Sequence, residues 1–142
     1  MEDSAVIVEA IYPAPLSKVW QAITDKEQMK EWYFTIEDFV LKEGAVFNFS
    51  VFEGEKLYRH RCVITEVVPN KRFQHTWTHP DQSKGESIVT WSLELVRDDA
   101  KVTLTHEGIE TFSDGGPDFK RENYLAGWTE ILKTELRQFL EK

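Results

Sequence analysis

The stretch from Pro117 to Lys142 limits the fold more than any other part of the chain. Tyr124, Leu125, Trp128, Ile131, Leu132, Leu136, Phe139 and Leu140 recur at spacings of three and four, the period of one helix face. Lys120, Arg121, Glu122, Glu130, Lys133, Glu135 and Arg137 fill the opposite side. At about 1.5 Å per residue, roughly 23 helical residues span about 35 Å, the width of a small domain. A helix of that length with a continuous apolar face needs a surface to cover. From about Phe34 to Ile109 the period is two instead, so the surface is a β-sheet.

The remaining elements follow in order. Ala5–Tyr12 is rich in β-branched residues and predicts a first strand, ended by Pro13. Pro15 opens a helix at a position where its missing N–H costs nothing, and Leu16, Val19, Trp20 and Ile23 form its apolar stripe. Asp25 with Gln28 three residues on resembles a capping box for a short second helix, Lys26–Trp32. Alternation then predicts strands over Ile36–Leu41, Ala45–Phe52, Lys56–Val68, Arg72–Thr78, Glu86–Val96 and Lys101–Ile109. The turns between them are short: Lys42–Gly44, Glu53–Glu55, Pro69–Asn70 and Arg97–Asp99. Only His79–Gly85 and Glu110–Gly116 are longer loops. Short connections make an antiparallel meander. The expected architecture is therefore α+β, one curved antiparallel sheet of about six to seven strands wrapped around the C-terminal helix. Residues 1–142 are expected to form a single domain.

Composition narrows the function. The 142 residues carry a net charge of −8. That opposes an electrostatic grip on nucleic acid or on an anionic membrane surface. No apolar run approaches a membrane span, and the N-terminus has no secretory pattern. The lone cysteine, Cys62, excludes an internal disulfide and reads as core filler. A cytoplasmic location is expected.

The chain resembles the START-related superfamily with the helix-grip fold, and within it the branch named after the activator of the heat-shock-protein-90 ATPase. The matching residues are Ala14-Pro15, Val19 through Asp25, Trp32, Gly44 with Phe47, Glu66 through Pro69 leading to Arg72-Phe73, Thr76-Trp77, Thr105 through Gly108, and Gly127-Trp128 with Leu132 and Leu136. They run in order from about residue 5 to residue 140. Cys62 departs from the glycine expected there in many relatives. The resemblance implies a cavity between sheet and long helix. It also implies a ligand that is a small hydrophobic or amphipathic molecule, a cyclase or hydratase chemistry, or a role as a chaperone-binding module.

The candidate pocket residues are Trp32, Phe47, Phe49, Tyr58, His60, His75, Trp77, Trp91, His106, Tyr124 and Trp128. His75 shares parity with Phe73 and Trp77, and His106 with Val102 and Leu104, so both face the apolar side. His60 does so with Tyr58, Cys62 and Ile64. Imidazoles there could act as acid or base near neutral pH, or sit as hydrogen-bonded core groups. Their spacing does not match a compact metal site. No catalytic residue, metal or cofactor is assigned. Glu107 falls on the face opposite His106, and His79, in a loop beside Pro80, reads as surface. Gly127, inside the long helix, is expected to mark a close approach to a strand rather than room for a ligand. The Ser113–Pro117 loop reads as a gate beside the pocket or as a simple connection. The expected function is ligand binding. The alternatives are an enzyme using His75 or His106, and a chaperone ATPase-activator-like module. The macromolecular partners left open are a chaperone and a second copy of the chain in a homo-dimer.

Overall fold

The computed structural model describes residues 5–53, 55–116 and 119–141. Six antiparallel strands form one sheet: β1 (Val6–Tyr12), β2 (Val46–Glu53), β3 (Lys56–Val68), β4 (Arg72–Trp77), β5 (Ser87–Val96) and β6 (Asp99–Glu107). Their spatial order is β1-β6-β5-β4-β3-β2. The meander thus runs from β2 to β6, and β1 returns to pair with β6. Helices α1 (Leu16–Thr24) and α2 (Lys26–Trp32) lie between β1 and β2 in the chain. Asp25 caps α2 by accepting from the Gln28 N–H at 3.3 Å, one half of the expected capping box. The Trp32 indole donates to the Ala22 carbonyl at 2.8 Å and ties α2 back to α1.

Alternation along the strands sends one set of side chains inward. Val6, Val8, Ala10 and Tyr12 of β1, Val102, Leu104 and His106 of β6, and Val89, Trp91 and Leu93 of β5 are all buried. A register shift between Ile64 and Glu66 places a bulge in β3 opposite β4, and a bulge bends and twists the strand that carries it. Thr65, the extra residue, turns its hydroxyl to Gln74.

Ile36–Leu41 is not a strand. Ile36 and Phe39 are buried while Val40 and Leu41 stay exposed. Between them Asp38 accepts from the backbone N–H of Asn48 at 3.1 Å and from its side-chain amide at 3.0 Å. The segment therefore lies against the outer strand β2 through a carboxylate rather than a ladder. Desolvation opposes ionisation of Asp38, but these two hydrogen bonds outweigh it and hold the carboxyl below its usual value. The opposite edge is covered in a similar way. The Ala5 and Ile11 carbonyls accept from Arg121 and Arg137 at 3.1 and 3.0 Å.

The C-terminal helix starts at Arg121, later than the sequence predicts; Pro117, Asp118 and Lys142 lie outside the described residues. It runs as α3 (Arg121–Glu130), a π-helical segment (Ile131–Leu136) and α4 (Arg137–Leu140). Trp128, Leu132, Leu136 and Leu140 are its buried residues. They are spaced by four, and each such step overshoots a regular turn of 3.6 residues by about 40°. The wider π turn absorbs the drift and keeps all four on the sheet. Tyr12 donates its hydroxyl to the Leu132 carbonyl at 2.6 Å inside this segment. Arg137 stacks over the Tyr12 ring at 5.1 Å. Between β6 and this helix, Ile109–Gly115 is a 3₁₀ turn rather than an open loop, and it buries Ile109 and Phe112. Asp114 accepts from Ser83 and from the Lys84 N–H, which ties this turn to the β4–β5 connection.

Candidate functional site

Where the N-terminal half of the helix passes over β2 and β3, sheet and helix do not close. A cleft of about 680 Å³ remains. Its sheet side is Val51 of β2 and Lys56, Tyr58 and His60 of β3. Its helix side is Asn123, Tyr124, Ala126 and Gly127 of α3, and Phe34, His79 and Phe119 complete it. Gly127 borders that gap. A Cβ built there meets no atom within 4 Å, so the glycine borders open space and approaches no strand, contrary to the sequence expectation.

Of the residues singled out from the sequence, Tyr58, His60 and Tyr124 line the cleft. The others are packed into the interior beside it. Phe49 lies face to face with His60, ring centroids 4.4 Å apart and planes 3° from parallel. Trp77 stands edge-on to His60 and to Trp128. Trp91 meets Trp128 at 5.7 Å, Phe47 meets His75 at 5.2 Å, and Trp32 packs on Tyr33 at 5.1 Å.

His106 is fully buried, and both its ring nitrogens are engaged. Its Nδ1 accepts from the Trp128 indole N–H at 3.0 Å. Its Nε2 therefore carries the hydrogen and donates to Ser87 Oγ at 2.7 Å, and Ser87 in turn donates to the Trp77 carbonyl at 2.9 Å. This chain fixes a neutral imidazole with no nitrogen left for a ligand. His75 bonds the Thr76 carbonyl through Nδ1 at 2.9 Å. Burial pushes both histidines down, to about 3 for His106, where His75 and His79 add repulsion, and to about 4 for His75.

His79 is a cleft residue and not surface. It is 3% exposed, and its Nε2 lies 2.7 Å from the Tyr124 hydroxyl. The signal for it was parity. Arg61 and Thr78 exchange two backbone hydrogen bonds at 3.1 Å beyond the end of β4, so the inward series Phe73, His75, Trp77 continues to His79. The His79 ring meets those of His60 at 4.7 Å and Phe119 at 4.5 Å. Nδ1 of His60 and Nδ1 of His79 are both buried and make no well-formed hydrogen bond. Burial holds His60 at about 3, with repulsion from His79, and His79 at about 4. Burial raises the Tyr124 phenol. At neutral pH the deep wall of the cleft is thus uncharged, with imidazole and phenol groups set among aromatic rings. Cys62 is buried and its thiol is pushed up by desolvation, so it is core. Among the described residues no cluster of His, Cys, Asp and Glu has the geometry of a metal site, and no helix is long and apolar enough to cross a membrane.

A curved antiparallel sheet gripping a long C-terminal helix defines the helix-grip fold. Residues 13–141 match the family model described as Activator of Hsp90 ATPase homolog 1-like protein, and the chain belongs to that family. Solved structures share the fold. CV1439 from Chromobacterium violaceum is 20% identical with a TM-score of 0.82, over 98% of each chain. The Aha1 dimer from Colwellia psychrerythraea is 21% identical with a TM-score of 0.69, over 96% of each chain. DynU16, a protein in the dynemicin biosynthetic locus, is 23% identical with a TM-score of 0.79; the alignment covers 99% of the present chain but 48% of DynU16. The present chain thus spans about half of DynU16. No curated protein matches the sequence.

Proposed function

We propose that this protein binds a small apolar or amphipathic molecule in the cleft between the β2–β3 hairpin and α3. The observation that carries this reading is the open space of about 680 Å³ beside Gly127, walled by aromatic rings with a few polar groups among them. That size and lining suit a small-molecule site. Membership of a helix-grip family supports it. An enzymatic variant of the cyclase or hydratase type would rest on His79, which touches Tyr124 inside the cleft. It would not rest on His106, whose nitrogens are both used. The Aha1 dimer of Colwellia psychrerythraea supports a second copy of the chain as a macromolecular partner, and a cytoplasmic setting is part of the same reading.

Native mass spectrometry of freshly purified protein, followed by solvent extraction, tests the binding reading. A co-purifying apolar molecule, or a rise in melting temperature with apolar probes that Gly127→Phe abolishes, is the expected result. A bare mass together with unchanged melting across such probes would overturn it.

A further inference from the structure

The polar groups of the cleft are sorted by depth. Lys56, the charged member of the described lining, is exposed at the rim. The buried members are Tyr58, His60 and His79, with Tyr124 half-buried above His79. His60, His79 and Tyr124 are uncharged at neutral pH. An ionised ligand group reaching that depth would lose its hydration without gaining a buried counter-charge, which is strongly unfavourable. A hydroxyl or a carbonyl needs only hydrogen bonds.

The His79–Tyr124 contact can supply them in either sense. His106 is locked in one tautomer because Trp128 and Ser87 hold its two nitrogens. His79 is held less firmly: its Nδ1 makes no well-formed hydrogen bond, and the Arg59 backbone beside it only favours the ring proton. If Tyr124 donates to a bare Nε2, the phenol oxygen faces the cleft as an acceptor for a ligand hydroxyl. If Nε2 carries the hydrogen and donates to the phenol oxygen, the Tyr124 O–H is released toward a ligand carbonyl. The 2.7 Å separation serves both arrangements. His60, whose Nδ1 makes no well-formed hydrogen bond, stacks on Phe49 at the same wall.

Building on the binding reading above, we propose that the cleft recognises a neutral oxygen function, a hydroxyl or a ketone, on an apolar or aromatic body, and that the His79–Tyr124 pair reads that oxygen. It discriminates against carboxylates and ammonium ions of the same shape.

A matched set of naphthalene derivatives tests this: naphthalene, 2-naphthol, 2-acetylnaphthalene, 2-naphthoate and 2-(aminomethyl)naphthalene, titrated calorimetrically at neutral pH. The naphthol and the ketone should each bind about tenfold more tightly than naphthalene, the gain of one net hydrogen bond, and both charged forms more weakly than naphthalene. In Tyr124→Phe the ratio of naphthol and ketone affinity to naphthalene affinity should fall to about one; a merely structural role for Tyr124 would weaken all of them together and leave that ratio unchanged. Ring-nitrogen NMR should show the His79 tautomer balance moving in opposite directions with naphthol and with ketone. If naphthoate or the amine binds as tightly as the naphthol, or if the preference survives Tyr124→Phe, the inference is overturned while the binding reading stands. If naphthalene and all its derivatives fail to bind, the binding reading falls and the inference with it.

Discussion

Acid is the perturbation to which this core is most sensitive. His60, His75, His79 and His106 are all buried. Desolvation, with added repulsion between imidazoles at His60 and His106, lowers them from 6.5 to about 3 for His60 and His106 and to about 4 for His75 and His79. In the unfolded chain each takes up its proton near the ordinary value of about 6.5. Between that value and the folded one, the unfolded state binds more protons than the folded state. The contribution of these groups is therefore complete above about pH 6.5 and is lost as pH falls below it. Going from about pH 7.5 to about pH 5 costs about 2 kcal/mol per fully buried imidazole, so His60, His75 and His106 together remove about 6 kcal/mol. His79, at the cleft wall, removes less. Typical stabilities are about 5–15 kcal/mol, so this loss is a large fraction of the total and falls before most carboxylates titrate. Urea unfolding followed by tryptophan fluorescence across this range measures the loss directly. His60→Phe preserves the ring stacked on Phe49 and should reduce the slope by about one proton. Equal unfolding free energies at pH 7.5 and 5, or a decline confined to about pH 4 and below, would refute the reasoning.

Three further outcomes are expected. Gly127→Ala should stabilise the protein by up to about 1 kcal/mol, because the added Cβ meets only open space while alanine is the better helix former; a fall in melting temperature would contradict that placement. Ser87→Ala strips the acceptor from His106 Nε2–H in a sealed interior and should cost about 1–3 kcal/mol in urea titrations; a loss below a few tenths would mean that the Trp128–His106–Ser87 chain is not formed. Asp38→Ala uncovers the Asn48 N–H on β2 and should cost about 1 kcal/mol. Light scattering on heating should show earlier association in that variant, and an unchanged onset would count against the carboxylate as an edge cover.

The sheet and its helix were legible because their periods are long and regular. Strand β3 spans the same residues that alternation marks, Lys56–Val68. Errors arose where a long-range contact overrides local pattern. Ile36–Leu41 has the composition of a strand, yet Asp38 gives its hydrogen-bonding capacity to Asn48, ten residues away in the chain, and no ladder forms. His79 follows the strand's inward parity, but Pro80 beside it and the turn after it, where Gln82 and Ser83 donate to the His79 carbonyl, resemble an exposed loop. The cleft was the least legible feature. It brings Gly127 together with a hairpin more than sixty residues earlier, and a helical glycine looks the same in sequence whether it faces a strand or a void. The three histidines seen from alternation are inward, but only their hydrogen bonds separate the locked His106 from His60 beside the cleft.

The covers on the two sheet margins have a further consequence for how the molecule fails. A bare strand margin is a template on which another chain can extend the sheet. On the β1 side two of the carbonyls are stoppered by guanidinium groups that belong to the C-terminal helix. That margin therefore becomes sticky only when the helix lifts away, and its detachment and the onset of self-assembly there are one event. On the β2 side the stopper is a short segment tied by the Asp38 carboxylate and by the buried Ile36 and Phe39, with Phe39 packed on Phe47 and Phe73 of the sheet. These Asp38 and Phe39 ties do not run through the helix, so the segment can let go while the helix stays seated. Growth of aggregates should begin from the β2 margin under mild stress and recruit the β1 margin only after the grip on the helix is lost.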